Sequence, residues 1–250
     1  MHASTVSSTI LRRQRVPNDP YFAGNVYAIV DGVHHVQTLP YEFLAILDAD
    51  IILPPDYCEW ILAQFRADPN LDVASGIYEN LVGGRLWKVL NDRRSTPKAL
   101  QVFRRTCFEQ IGGYLPLTRG GEDTCACVMA RMHGWRTWSF SQVKAVHQRP
   151  TGLRNARGLL RARFMQGLCE YGLSTHPLFM ILKSLRRCFL ESPLLLGGIL
   201  RLSGYAYGYL KREPCQIPAE VAAYARHEQM DRVLYFNRIP EKDRVYADSL

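Results

Sequence analysis

The stretch FLAILDADIIL, residues 43 to 53, constrains this chain more than any other. Five apolar residues run into Asp48 and Asp50, and the chain then turns apolar again. A continuous apolar run of this length is what a strand buried in a parallel sheet carries. Two like charges directly beyond it mark the point where the chain leaves the core. In open α/β sheets, ligands bind outside the carboxyl ends of the strands. Side chains two apart in an extended segment face the same way, so Asp48 and Asp50 are expected to converge. Converging carboxylates repel unless a proton or a cation lies between them. A hard divalent cation, Mg²⁺ or Mn²⁺, accepts such oxygens and keeps room for phosphates. The plainer alternative is that one aspartate caps a turn while the other is solvated.

Elsewhere strands and helices alternate until the chain becomes helical. Pro54 and Pro55 open a helix running to Asp68, with Cys58, Ile61, Leu62 and Phe65 on one face. LDVASGIY (71–78) and ALQVF (99–103) read as strands, separated by a polar, glycine- and arginine-containing excursion. RRTCFEQIGGY is a short helix closed by glycines, and residues 118–135 are a loop feeding a helix that Gly134 stops. RTWSF and KAVH are strand-like, whereas NVYAIVDG (25–32) fits a short strand or a helix end. From Leu153 onward the chain is helical and increasingly basic, with breaks at Pro177, Pro193 and Pro214. This order predicts an α/β domain over residues 1–150 and a helical, basic C-terminal extension over 151–250.

Two further elements accompany the aspartates. GGED places Glu122 and Asp123 after a diglycine at a helix start, where acids are commonly plain dipole partners. His147 ends KAVH, where a lone histidine is commonly structural or exposed. Each of the three elements stands at the mouth of an expected strand or helix.

In this order, LDADI, LQVFRRTCFEQIGGY, GGED and VHQR resemble the family 2 glycosyltransferases, over residues 43–150. The resemblance implies the GT-A fold, a mostly parallel sheet flanked by helices. It implies an inverting, metal-dependent transfer of sugar from a nucleotide-diphospho-sugar donor to a hydroxyl of a glycan or lipid-linked acceptor, in cell-surface polysaccharide synthesis. Asp50 and His147 would bind Mn²⁺ or Mg²⁺, with Asp48 beside them on metal or donor, and Arg149 would face the diphosphate. Asp123 would be the general base, brought in by the diglycine. Glu122, with Gly112 and Gly113, would hold the acceptor. The chemistry suits these residue types: a divalent cation stabilises a diphosphate leaving group, and a placed carboxylate contributes about 10²–10⁴-fold by taking the hydroxyl proton. The family's core starts with a strand–helix–strand unit, which needs about 30 residues or more. Only 42 residues precede Phe43, three of them proline, so the nucleotide-binding amino half is expected to be missing. That leaves an exposed sheet edge open to self-association or a partner chain.

Composition narrows the partners. A chain of 250 residues can build a core without disulfides. Its seven cysteines are scattered without a CxxC pair and read as free thiols of a reducing compartment. The first fifteen residues contain no apolar signal core. Residues 192–210 include Arg201, four glycines and three tyrosines, and read as a packed or interfacial helix. The net charge of +8 calls for an anionic partner. Arg154, Arg157 and Arg161 share a helical face, with Lys183, Arg186 and Arg187 further on, and Phe179, Leu182 and Phe189 offer shallow insertion. An anionic membrane surface, rather than nucleic acid, is the expected partner, with the protein cytoplasmic and peripheral on the inner face of the membrane. Two rival readings are a non-catalytic truncated transferase that docks on membrane or partner, and a metal-dependent phosphoryl-transfer enzyme.

Overall fold

The computed structural model describes residues 8–14, 20–90, 92–148, 156–235, 243 and 246. Helix α1 (Tyr21–Val36) takes the stretch that fitted either a strand or a helix end. Then come β1 (Phe43–Leu47), β2 (Ile51–Ile52), α2 (Tyr57–Ala67), β3 (Leu71–Val82), β4 (Arg85–Lys88), β5 (Leu100–Arg104), α3 (Arg105–Gln110), α4 (Glu122–Met132) and β6 (Arg136–His147). Four helices follow: α5 (Ala156–Gly172), α6 (Pro177–Leu190), α7 (Leu196–Lys211) and α8 (Ala219–Leu234). The class is α/β with a helical C-terminal extension, as expected.

The strand directions correct the expectation of a mostly parallel sheet. The order is β1-β5-β3-β6-β2 with β4 beside β3, and the sheet is mixed. Among the described residues only the β3–β6 pairing is parallel. Parallel neighbours need a long crossover, and α4 lies on the path to β6. By contrast β3 folds straight back into β4 through Gly83 and Gly84, both at positive φ. That two-residue glycine turn suits a tight hairpin, and it is why the polar excursion contains a strand.

The apolar run FLAIL is not fully buried. Among the described residues β1 pairs with β5 alone, only Ile46 of the strand is buried, and Leu47 is 44% exposed. The strand is therefore an open edge, of the kind expected on the amino side. In α2 the inward face is Tyr57, Ile61 and Phe65, one turn apart each, whereas Cys58 is exposed.

Two apolar clusters cover the sheet. One joins Val73 and Phe103 of the sheet to α1, α3, α4 and α8; the other joins Leu71, Leu100 and Phe140 to α2. Alternation along the strands sends Val73 and Phe103 to one cluster and Ala74 and Val102 to the other. Helix α8 supplies Val221, Ala222 and Ala225 to the first cluster, so the extension returns to the sheet domain.

RTWSF and KAVH form one strand, β6, with an excursion in it. Gly76 is paired with Phe140 and Ile77 with Lys144, so β6 carries three residues, 141–143, with no counterpart on β3. At this point a Cβ on Gly76 would lie 2.5 Å from the Val143 carbonyl oxygen. The Gly76 N–H donates to the Tyr57 hydroxyl (3.1 Å), which donates to the Leu100 carbonyl (2.7 Å).

Asp72 at the start of β3 is fully buried, and neither of its carboxylate oxygens is hydrogen-bonded. Arg104 Nε lies 3.3 Å from Asp72 Oδ1 without hydrogen-bond alignment, and that side chain donates instead to the carbonyls of Phe65 and Leu71. Burial pushes Asp72 up to about 7, against the pull of Arg104, from an ordinary 3.8. The folded state thus holds a proton that the unfolded chain releases. Its contribution is complete below the unfolded value and is lost as pH rises through about 7. Urea midpoints of the wild type should fall over this window by the equivalent of about 2–4 kcal/mol. Asp72→Asn should flatten the slope, and an unchanged slope would refute the assignment.

Candidate active site

The site residues come from the ends of four elements. Asp48 follows β1 and Asp50 precedes β2, so the motif links the β1 edge to a strand on β6. The segment between is a turn, in which Ile51 N–H donates to the Asp48 carbonyl (3.3 Å). The extended backbone expected between the two aspartates is therefore corrected to a turn.

Asp50 faces His147. Strand β2 pairs Ile51 with His147, and the Gln148 N–H donates to the Asp50 carbonyl at 2.9 Å. Asp50 Oδ1 then stands 3.5 Å from His147 Nε2. The other ring nitrogen, Nδ1, is 3.1 Å from Asn80 Oδ1, and Asn80 is the β3 partner of His147 in the parallel register. The ring thus has one nitrogen at the Asn80 side-chain amide and the other at the Asp50 carboxylate.

Asp123 and Glu122 begin α4, after Gly120 and Gly121 at φ 83° and 92°. Asp123 Oδ1 accepts from the Thr124 N–H (2.7 Å) and Oδ2 from the Lys98 N–H (3.2 Å). Lys98 Nζ reaches Glu122 Oε1 at 3.4 Å, so one lysine addresses both acids. Glu122 is 4% exposed and its Oε2 is buried with no hydrogen-bond partner. Burial, and then the charge of Asp123, push its carboxyl up, against the pull of Lys98. The diglycine is closely packed: a Cβ on Gly121 would lie 2.7 Å from Leu173, just past α5, and one on Gly120 3.2 Å from Phe22 of α1.

Two tyrosines connect these groups. Tyr78, two residues before Asn80, packs edge-on to the His147 ring with centroids 5.3 Å apart. Burial, followed by the charges of Asp123 and Asp48, pushes its hydroxyl up to about 12. Tyr114 is pushed well above its ordinary value by burial and by charges that include Asp123, Glu122 and Asp48. Asp48, with its N–H on the Ala99 carbonyl (3.3 Å), thus shares a field with Asp123, whose Oδ2 is held by the neighbouring Lys98.

The structure brings Asp50 to His147 and sets Glu122 beside Asp123, and the charges of Asp48 and Asp123 both act on Tyr78 and Tyr114. Gly112 and Gly113 close α3 at positive φ, donating their N–H groups to the Glu109 and Phe108 carbonyls, and they lead into Tyr114. Arg149 lies outside the described residues. Among the described residues no three or more His, Cys, Asp or Glu groups are positioned together around one metal. What fits a cation is the Asp50–His147 pair, a carboxylate oxygen and an imidazole nitrogen on a ring whose other nitrogen lies at Asn80. Sequence reading missed Lys98, Asn80, Tyr78 and Tyr114. Tyr78 and Asn80 share the two-residue spacing of the aspartates, a signal that was there; nothing around Lys98 marks it.

No family model matches the chain. The chain is 28% identical over 183 residues to the UDP-forming cellulose synthase catalytic chain of Dictyostelium discoideum, a match covering 65% of this chain and 17% of that protein. The glycosyltransferase resemblance read from the motifs is supported by this relative. The chain spans less than a fifth of the length of that relative, 17%. Among solved structures, the mannosyltransferase PcManGT from Pyrobaculum calidifontis, in complex with GDP-Man and Mn²⁺, is similar over 88% of this chain and 63% of its own, at 16% identity and a TM-score of 0.44. A197 from STIV is similar over 51% of this chain and 66% of its own, at 20% identity and a TM-score of 0.35. At these scores neither structure carries an argument about this chain.

The opposed influences on Glu122 can be measured. Carboxyl NMR titration should show Lys98→Met raising the Glu122 pKa and Asp123→Asn lowering it. Shifts of the opposite sign would mean that Glu122 does not sit between these two charges.

Proposed function

We propose that this chain carries the catalytic core of a glycosyltransferase, moving sugar with inversion from a nucleotide-diphospho-sugar to the hydroxyl of a glycan or lipid-linked acceptor. The observation that supports it most is the His147–Asp50 pair, an imidazole nitrogen and a carboxylate oxygen 3.5 Å apart at the end of the parallel β3–β6 pairing, beside a Tyr78 whose hydroxyl also feels the charge of Asp123. The motif order and the similarity to a UDP-forming cellulose synthase support the same reaction class.

Asp50 and His147 would hold Mn²⁺ or Mg²⁺, with Asp48 toward metal or donor and Arg149 toward the diphosphate. Bound there, the cation would supply charge stabilisation to the departing diphosphate. With the cation there, Asn80 Oδ1 would accept from Nδ1–H and leave Nε2 as the ligating nitrogen. Asp123 receives the acceptor proton while N–H groups on both its oxygens, from Lys98 and Thr124, keep the carboxylate aimed. The acceptor hydroxyl finds a second partner in Glu122 Oε2, a buried acceptor without a donor of its own. Gly112 and Gly113 shape the acceptor side through Tyr114. The protein is read as cytoplasmic and peripheral on an anionic membrane, and no helix of the described residues is long and apolar enough to cross one.

Calorimetry with Mn²⁺ and nucleotide diphosphates tests the donor half. Binding of the nucleotide should require Mn²⁺, vanish in His147→Ala and Asp50→Asn, and weaken about 10–100-fold in Asn80→Ala, the usual effect of losing a ligand's supporting hydrogen bond. In a transfer assay Asp123→Asn should bind donor normally and lose about 10²–10⁴-fold in rate. Metal-independent nucleotide binding, or native transfer by Asp123→Asn, would overturn the reading.

A further inference from the structure

Helix α7 is built inside out for a helix in water. The residues it buries are Gly197, Gly198, Gly204 and Gly208, with Arg201 and Tyr205. Its large aliphatic side chains face outward instead: Leu196, Ile199, Leu202 and, at 82% exposure, Leu210. The glycines are required by close approach. A Cβ on Gly204 would lie 2.0 Å from the Phe164 carbonyl oxygen of α5, and one on Gly198 2.3 Å from the Ser184 carbonyl oxygen of α6. Small residues inward and large apolar residues outward is the arrangement of helices that associate in lipid, where apolar side chains gain nothing by facing the protein.

Helix α6 continues the same face. Leu178, Ile181, Leu185 and Phe189 recur at helical spacing and are all exposed, Phe189 at 72%. The connecting turn adds Leu194 and Leu195, also exposed. Three cations of the hairpin are paired within the protein, Lys183 with Glu170 and both Arg187 and Arg201 with Glu191. Glu191 takes Arg163, Arg187 and Arg201 at 2.7, 3.0 and 3.0 Å, behind the apolar face. Residues 177–212 contain six cations and one acid, and Arg186, Lys211 and Arg212 are exposed. A second copy of this surface would bring like charges together, whereas an anionic bilayer complements them. Sixteen residues of α7 span about 24 Å, short of a hydrocarbon core of about 30 Å.

We infer that the α6–α7 hairpin is a monotopic membrane anchor, seated in one leaflet of an anionic bilayer with its leucine face among the acyl chains and its cations at the headgroups. This names a face and a depth for the membrane reading above, moving the inserted surface from Phe179 and Leu182 to the leucine face of α6–α7, and it does not depend on the transferase chemistry.

Flotation of the full chain with vesicles of phosphatidylcholine, with and without phosphatidylglycerol, tests it, together with Leu185→Gln/Ile199→Gln. Both positions are exposed, so circular dichroism should be unchanged. The wild type should float, more strongly with phosphatidylglycerol, and the double variant should partition about a hundredfold less, from two apolar side chains returned to water. Phe189→Trp should gain fluorescence that acyl-brominated lipid quenches. A wild type that stays with the aqueous fraction, a double variant that floats equally, or an indole signal in Phe189→Trp untouched by brominated chains would overturn the inference. So would a lipid-free wild-type dimer, seen by light scattering, that the double variant dissociates, which would give this face to a second copy.

Discussion

The parallel pairing of β3 with β6 is the contact on which the rest of the candidate site depends. It is the single parallel pair of the described sheet, and it sets Asn80 against His147 at the strand ends. From that register follow the amide on Nδ1, the Tyr78 ring against the imidazole, and the edge to which β2 adds Asp50. The β3–β6 crossover also contains α4, so the same connection that makes the pair parallel delivers Glu122 and Asp123 to the site.

Much of this was legible in the sequence, for identifiable reasons. The β1 run, the proline-opened α2 and the glycine-stopped α4 follow from local patterning, and proline breaks separate the helices of the tail. Strand direction was not legible, because it depends on which strands pair across long connections rather than on any local pattern. The burial of β1 was overread for the same reason: an apolar run does not say whether a neighbour covers it. In the site, acids and histidine stood out because charge at a strand mouth is unusual. Lys98 did not, since its influence comes from a main-chain N–H and from a side chain reaching across to α4.

The positive charge of the chain is distributed differently from its sequence pattern. Arg131 and Arg94 are tied to Glu228, Lys183 to Glu170, and three arginines to Glu191. These pairs are mostly half-buried and stitch the helical extension to itself and to α4. Such pairs hold a geometry more than they add stability, because desolvation offsets much of their attraction. The excess that remains exposed lies beside an apolar surface, and there charge and hydrophobicity act together.

The three unpaired residues of β6 have a further consequence. Side-chain direction in a strand repeats every two residues, so the register that resumes after that insert decides which way His147 points. A residue added within the excursion and absorbed there would leave His147 opposite Asn80 and facing as it does, whereas a one-residue slip of the register beyond it would turn the imidazole to the opposite side of the sheet. Variation in loop length is normally tolerated where it touches no core. Here a short irregular segment, distant in sequence from either aspartate of the DAD turn, is where the register that orients His147 is reset, and chains that resumed it one residue out would share a fold without sharing this candidate site.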